Sequence, residues 1–84
     1  MEIKLIDYMY LFDGYSLFRM YRKDGIAHFE ELSHYGNWHD VTDYSYLIEG
    51  NWWATPDQAI KAKQDSIDLS IEEIRQALKR YYEK

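Results

Sequence analysis

Four glycines divide the first half of the chain into segments of similar length. Gly14, Gly25, Gly36 and Gly50 lie 11, 11 and 14 residues apart, each beside Asp, Asn or Glu. Turns at such regular spacing predict an antiparallel meander. Two of the glycines follow aspartate, and Asp-Gly is a preferred pair for a two-residue type I′ hairpin, whose central residues both take positive φ. We therefore expect strands on either side of Asp13-Gly14 and of Asp24-Gly25.

The turns leave room for three or four strands. We predict antiparallel strands at Ile3–Phe12, Tyr15–Lys23 and Ile26–Ser33, with a fourth at about Tyr44–Ile48. The third of these alternates imperfectly between apolar and polar residues, so we expect the sheet to bury one side well and the other only in part. A partly covered side of a sheet is a candidate docking surface.

A helix is predicted from Thr55 onward. Neither glycine nor proline occurs after Pro56, and apolar residues recur every three or four positions. Thr55 suits the N-cap, Pro56 suits the first helical position, and Gln58 completes a capping box.

The length of this helix is open to two interpretations. Apolar residues continue at helical spacing from Ile60 to Tyr81, which favours one helix from Pro56 to about Tyr82. A second capping box, Ser70-x-x-Glu73, allows instead a break at Asp68–Ser70. In either case we predict an α+β fold, with a three- or four-stranded antiparallel β-meander followed by a long, or broken, C-terminal helix packed on the sheet.

The length of the chain predicts one domain. With 84 residues it can form one small core, so we treat residues 1–84 as a single domain, with the β-meander and an acidic aromatic segment in 1–54 and the helical segment in 55–84. Cysteine is absent, which fits a reducing compartment, and the start of the chain lacks the pattern of a signal peptide or a membrane span. We therefore expect a cytoplasmic protein.

The charge of the chain is concentrated in its middle. Between Asp24 and Ile60 there are seven carboxylates, no lysine and no arginine, and seven aromatic residues, whereas the whole chain has a net charge of −5. Such a segment repels nucleic-acid phosphates and attracts lysine- or arginine-rich surfaces. Large aromatic side chains beside uncompensated acids suit a surface that binds a basic protein.

We predict that the partner-binding residues lie in this acidic aromatic segment. The candidates are the tryptophans, which fall in turn-rich stretches, and the neighbouring tyrosines and acids: Trp38, Asp40, Asp43, Tyr44, Tyr46, Glu49, Trp52 and Trp53. Neighbouring residues of an extended segment point to opposite sides, so Trp52 and Trp53 cannot both face the core. One of them is expected to contact a partner or to cover the edge of the sheet.

The sequence contains no recognisable catalytic or cofactor-binding motif. Phosphate-binding glycine loops, His-Glu-x-x-His and Gly-x-Ser-x-Gly are all absent. His34 and His39 are five residues apart, a spacing that matches no common metal signature, so we expect neither a metal nor a cofactor. We expect a protein that is not an enzyme.

Two functional hypotheses follow. The first is a protein-binding module or inhibitor that docks on a basic surface of a larger protein, for example a surface that normally holds nucleic acid. In size and acidity the chain resembles the phage-encoded inhibitors of host defence, including anti-CRISPR proteins, and this resemblance assigns no role to any residue. The alternative is a homodimer or scaffold protein that associates through the apolar stripe of the C-terminal helix.

Overall fold

In the described part of the chain the fold is a four-stranded sheet followed by two helices. The computed structural model describes residues 7–41, 50–63 and 68–84. The elements are β1 (Met9–Phe12), β2 (Leu17–Lys23), β3 (Ile26–Leu32), β4 (Trp38–Asp40), α1 (Pro56–Lys61) and α2 (Asp68–Tyr82). The strands pair antiparallel in the order β1-β2-β3-β4, and the helices pack on the sheet. The predicted α+β fold is confirmed.

The two Asp-Gly turns have different structures. At Asp24-Gly25 both residues have positive φ, +54° and +78°, and Lys23 pairs with Ile26, as a two-residue type I′ hairpin requires. At Asp13-Gly14 the prediction of a two-residue turn is wrong, because Phe12 pairs with Leu17. There the carboxylate of Asp13 accepts hydrogen bonds from the backbone N–H groups of residues 15 and 16, which stabilise a longer loop.

The fourth strand follows the turn at Gly36. Ser33 and Asn37 close this turn through a backbone hydrogen bond of 2.8 Å, and β4 then pairs with β3. Gly36 has a φ of +83°, and a Cβ atom there would lie 2.6 Å from the backbone nitrogen of Tyr81. Glycine therefore lets the β3–β4 turn contact the last turn of α2. The strand predicted at Tyr44–Ile48 lies outside the described residues.

Within residues 55–63 and 68–84 the helical segment contains two helices, so the preferred prediction of one continuous helix is wrong. The predicted start is confirmed, because the Thr55 hydroxyl and the Gln58 side chain form a reciprocal capping box. Helix α1 then ends at Lys61, and a turn follows in which Lys63 donates a backbone hydrogen bond to Ile60. Helix α2 begins at Asp68. The predicted break at Asp68–Ser70 is close to this start, although Ser70 itself lies within the helix.

Both sides of the sheet carry buried residues. On the helix-facing side, one apolar cluster joins the strands to the helices: Phe12, Leu17, Leu32, Ala59, Ile60, Ile74 and Ala77. On the opposite side, Phe18 and Phe29 are buried at 3% and 1% exposure, with Trp52 packed against them. Each strand pair therefore contributes side chains to two separate clusters.

Candidate protein-binding surface

A buried arginine lies on the helix-facing side of the sheet. The hairpin that pairs Lys23 with Ile26 also places Arg19 directly opposite Glu30. Arg19 is only 9% exposed, and its Nε atom donates a 2.7 Å hydrogen bond to the Glu30 carboxylate. Its Nη1 atom donates to the Tyr81 hydroxyl at 3.3 Å. The sheet register and the last turn of α2 therefore provide the partners that a buried cation needs.

Aromatic rings surround the Arg19 guanidinium. Its carbon atom lies 4.2 Å from the ring centre of Tyr8, 4.3 Å from Trp38 and 5.8 Å from Tyr81. Burial alone would lower the pKa of Arg19, but the hydrogen bonds to Glu30 and Tyr81 outweigh it and the pKa is raised. The neighbouring rings and one carboxylate thus stabilise the arginine as a cation.

Next to Arg19 the same side of the sheet carries an acidic aromatic patch, which we define as Tyr8, Tyr21, His28, Glu30 and Asp40. The rings of Tyr21 and His28 are stacked at 5.1 Å, and Tyr8 meets Tyr21 edge-on at 5.6 Å. Glu30 and Asp40 are cross-strand neighbours. Asp40 is exposed, the other four are partly exposed, and none of the five belongs to a buried cluster.

The structure places Trp38 and Asp40, two of the predicted partner-binding residues, together on β4. Trp38 packs on Arg19 and is close to Tyr81, whose ring centre is 5.9 Å away at nearly a right angle. Trp38 therefore forms part of the shell around the buried cation, while Asp40 lies in the acidic aromatic patch. The predicted residues Asp43, Tyr44, Tyr46 and Glu49 lie outside the described residues.

Trp53 lies at the opposite edge of the sheet from β4, and Trp52 lies on the opposite side of the sheet from Trp38. The prediction that they point to opposite sides is confirmed, because Trp52 packs on Phe29 at 5.7 Å whereas Trp53 is 39% exposed. The backbone of Trp53 pairs with Tyr10 through hydrogen bonds of 2.7 and 2.8 Å, and so covers the outer edge of β1. Since β1 and β4 are at opposite ends of the sheet order, the four described candidates do not form one cluster.

Four residues of the patch were missed by the sequence analysis, namely Tyr8, Tyr21, His28 and Glu30. The sequence did contain a signal for three of them. A two-residue turn at Asp24-Gly25 fixes the pairing of β2 with β3, and that pairing puts Tyr21 opposite His28 and Arg19 opposite Glu30. The position of Tyr8 beside Tyr21 could not be predicted in the same way, because the first hairpin does not have a two-residue turn.

The histidines do not form a metal centre within residues 7–41, 50–63 and 68–84. His39 is within 3.4 Å of the Glu31 carboxylate, and no group of three potential ligands occurs among these residues. Nor does any helix in the described part of the chain have the length and apolar character needed to cross a membrane.

Comparisons with protein-family models, with curated proteins and with solved structures find no match to this chain. No function can therefore be transferred from a relative. The function is inferred from the chemistry of the side chains themselves.

Proposed function

We propose that this protein is a non-enzymatic binding module that recognises a basic segment of a larger protein through the acidic aromatic patch. The observation that supports this most is the stacked Tyr21–His28 pair on the same side of the sheet as the exposed carboxylate of Asp40. A lysine or arginine of the partner can contact the faces of such rings while its charge is balanced by a carboxylate.

The charge of the chain supports the same proposal. Asp40 belongs to the stretch from Asp24 to Ile60 that contains seven carboxylates and no lysine or arginine. A negative surface of this kind accelerates the approach of a basic partner, and added salt weakens the effect. The rings act later, since buried aromatic contacts mainly slow dissociation.

The test is affinity capture from the host of this protein with three matched baits. The wild type is compared with Asp40→Lys, which reverses the charge in the patch, and with Glu73→Lys, which makes the same change at an exposed position of α2. We expect a partner with a basic surface that is retained by the wild type and by Glu73→Lys. Asp40→Lys should bind it at least tenfold more weakly, a difference of about 1.4 kcal/mol.

Two results would contradict the proposal. One is a partner that binds Asp40→Lys and the wild type equally, and the other is a partner whose binding surface is neutral or acidic. Circular dichroism of all three baits shows whether the fold is retained, and each surface substitution should change the free energy of unfolding by less than about 0.5 kcal/mol.

If the protein is an inhibitor, its partner must meet one more condition. If this protein occludes a groove that normally holds nucleic acid, the captured partner should bind nucleic acid, and the two should compete for one site. An oligonucleotide that releases the bait would support occlusion, while simultaneous binding would limit the proposal to a binding module.

The alternative of association through the apolar stripe gains no support from α2. Three side chains of α2 pack against the apolar cluster on the helix-facing side of the sheet: Ile71, Leu78 and Tyr81. The large apolar side chains of α2 that are exposed are Leu69 at 67% and Tyr82 at 66%, and they are about 20 Å apart along the helix at 1.5 Å per residue. The described part of the helix therefore presents no continuous apolar strip for a second copy.

A further inference from the structure

A hollow of about 550 Å³ lies where the last turn of α2 meets the β3–β4 turn. The side chains that line it are mainly hydrogen-bond donors and aromatic rings: Arg19, Asn37, Trp38, Tyr81, Tyr82 and Lys84. The hollow is a shallow depression that is open to solvent, and its volume is in the range of pockets that hold small organic molecules.

The charge of this hollow is opposite to that of the chain. Two further hollows, of about 420 and 250 Å³, each have a carboxylate in the wall, Asp13 in one and Glu31 in the other. The described residues that line the 550 Å³ hollow include Lys84 and Arg19, whose charge is paired with Glu30 behind the wall, and they include no aspartate or glutamate. In a chain with a net charge of −5, such a wall is suited to an anion.

Arg19 in the wall and Trp38 beside it have N–H groups that can donate to a ligand oxygen. Arg19 is 9% exposed and uses one N–H for Glu30 and one for Tyr81, whereas a guanidinium has five N–H donors. The indole nitrogen of Trp38 is buried and has no hydrogen-bond partner among the described residues. A buried donor without an acceptor is unfavourable, so a small rotation of the indole towards a ligand oxygen would be stabilising.

The aromatic rings in the wall indicate which kind of non-polar group the ligand would carry. Tyr81 packs edge-on against Trp38, and Tyr82 lies beside it with a ring-centre distance of 5.2 Å between the tyrosines. Flat rings of this kind suit a flat apolar group by stacking. We propose that this hollow binds a small aromatic carboxylate, with its carboxylate on Arg19 and Trp38 and its ring against the tyrosines.

The test is a titration followed by the indole N–H resonances of the ¹⁵N-labelled protein. The Trp38 resonance is assigned from the spectrum of Trp38→Phe, and the probes are phenylacetate and its neutral analogue phenylacetamide. We expect phenylacetate to shift the Trp38 resonance to saturation, with a Kd at least tenfold lower than that of the amide. Equal binding of the acid and the amide, or no shift with either, would overturn the proposal.

Substitutions locate the site. Arg19→Lys keeps the charge but removes the planar set of donors, and Lys84→Glu reverses a charge in the wall at an exposed position, where Lys84 donates to the Asn37 side chain. Each should raise the Kd of phenylacetate at least fivefold. Lys79→Glu, an equal change at an exposed position of α2 away from the hollow, should leave the Kd within twofold. An equal loss in Lys79→Glu and Lys84→Glu would show a non-specific charge effect and refute the site.

Discussion

The two ends of the helix-facing side of the sheet are built from the same strands but stabilised in different ways. At one end, Phe12, Leu17 and Leu32 are at most 5% exposed and pack against the helices. At the other end, one cross-strand row runs through Arg19, Glu30 and Asp40. The first end excludes water by apolar contact, whereas the second depends on a paired cation with rings around it.

The difference shows that the position of the helices determines which part of the sheet is core and which part is surface. Strand alternation puts Leu17, Arg19 and Tyr21 on one side of β2, so the strand alone does not separate core from surface. The helices reach as far as Tyr81, which contacts both the apolar cluster and Arg19. The part of this side of the sheet that neither α1 nor α2 covers has charged and aromatic side chains, and they form the acidic aromatic patch.

The largest effect should come from the apolar end. Ile74 is 4% exposed in the core cluster, and its replacement by Ala should lower the free energy of unfolding by about 2–4 kcal/mol, because it leaves a cavity. Leu69 on the same helix is 67% exposed, and Leu69→Ala should cost less than about 0.5 kcal/mol. Urea unfolding measures both. Similar losses at the two positions would show that α2 does not pack on the sheet as described.

The next effect tests the β3–β4 turn, which lies at the apolar end. Gly36 and Gly25 both have positive φ, +83° and +78°, so alanine is strained by about 1–2 kcal/mol at either position. At Gly36 the new Cβ would also meet the backbone of α2 at 2.6 Å, whereas at Gly25 there is nothing within 4 Å. Gly36→Ala should therefore be less stable than Gly25→Ala by at least about 1 kcal/mol in thermal or urea unfolding. Equal stabilities would mean that the β3–β4 turn does not contact the helix.

How far the sequence predicts this fold can be seen at particular residues. Asp24-Gly25 and the Thr55 capping box act locally, and both have the predicted structure. The end of α1 at Lys61 was not predicted, because no glycine or proline marks it and the apolar spacing continues beyond it. A periodic pattern indicates which residues face the core, and it does not require that one helix carries them all.

The candidate site was predicted less well, and the reason is again physical. Asp40 was identified from the charge of its segment, and it lies in the patch. Trp38 was predicted to bind a partner; it is partly buried and packs on Arg19, a contact that depends on the pairing of three strands and that the sequence analysis did not predict. Contacts between residues distant in sequence follow from strand register, and an error in one turn, as at Asp13-Gly14, makes them unpredictable.

A smaller effect is expected on stability at alkaline pH, and it involves Tyr10, which lies between the two ends. Burial raises the pKa of Tyr10, and the neighbouring Tyr82 raises it further, against the opposing effect of Arg19. The unfolded chain loses this proton first, near pH 10, so stability that is present below that pH falls as the pH rises through the folded-state pKa. Tyr10→Phe removes the ionisable group. In urea unfolding at pH 8 and pH 11, we expect the variant to lose less stability than the wild type, and an equal or greater loss would contradict this assignment.

The most direct test of the division between a stabilising end and a binding end is a hydrogen-exchange footprint of the protein with its captured partner. Amide exchange reports local protection along the chain, so it maps the contact without any substitution. We expect new protection on binding at Tyr21, at residues 28–30 and at residues 38–40, with little change in α2. Protection confined to α2, or to the β1 edge at Trp53, would contradict the assignment of binding to the acidic aromatic patch.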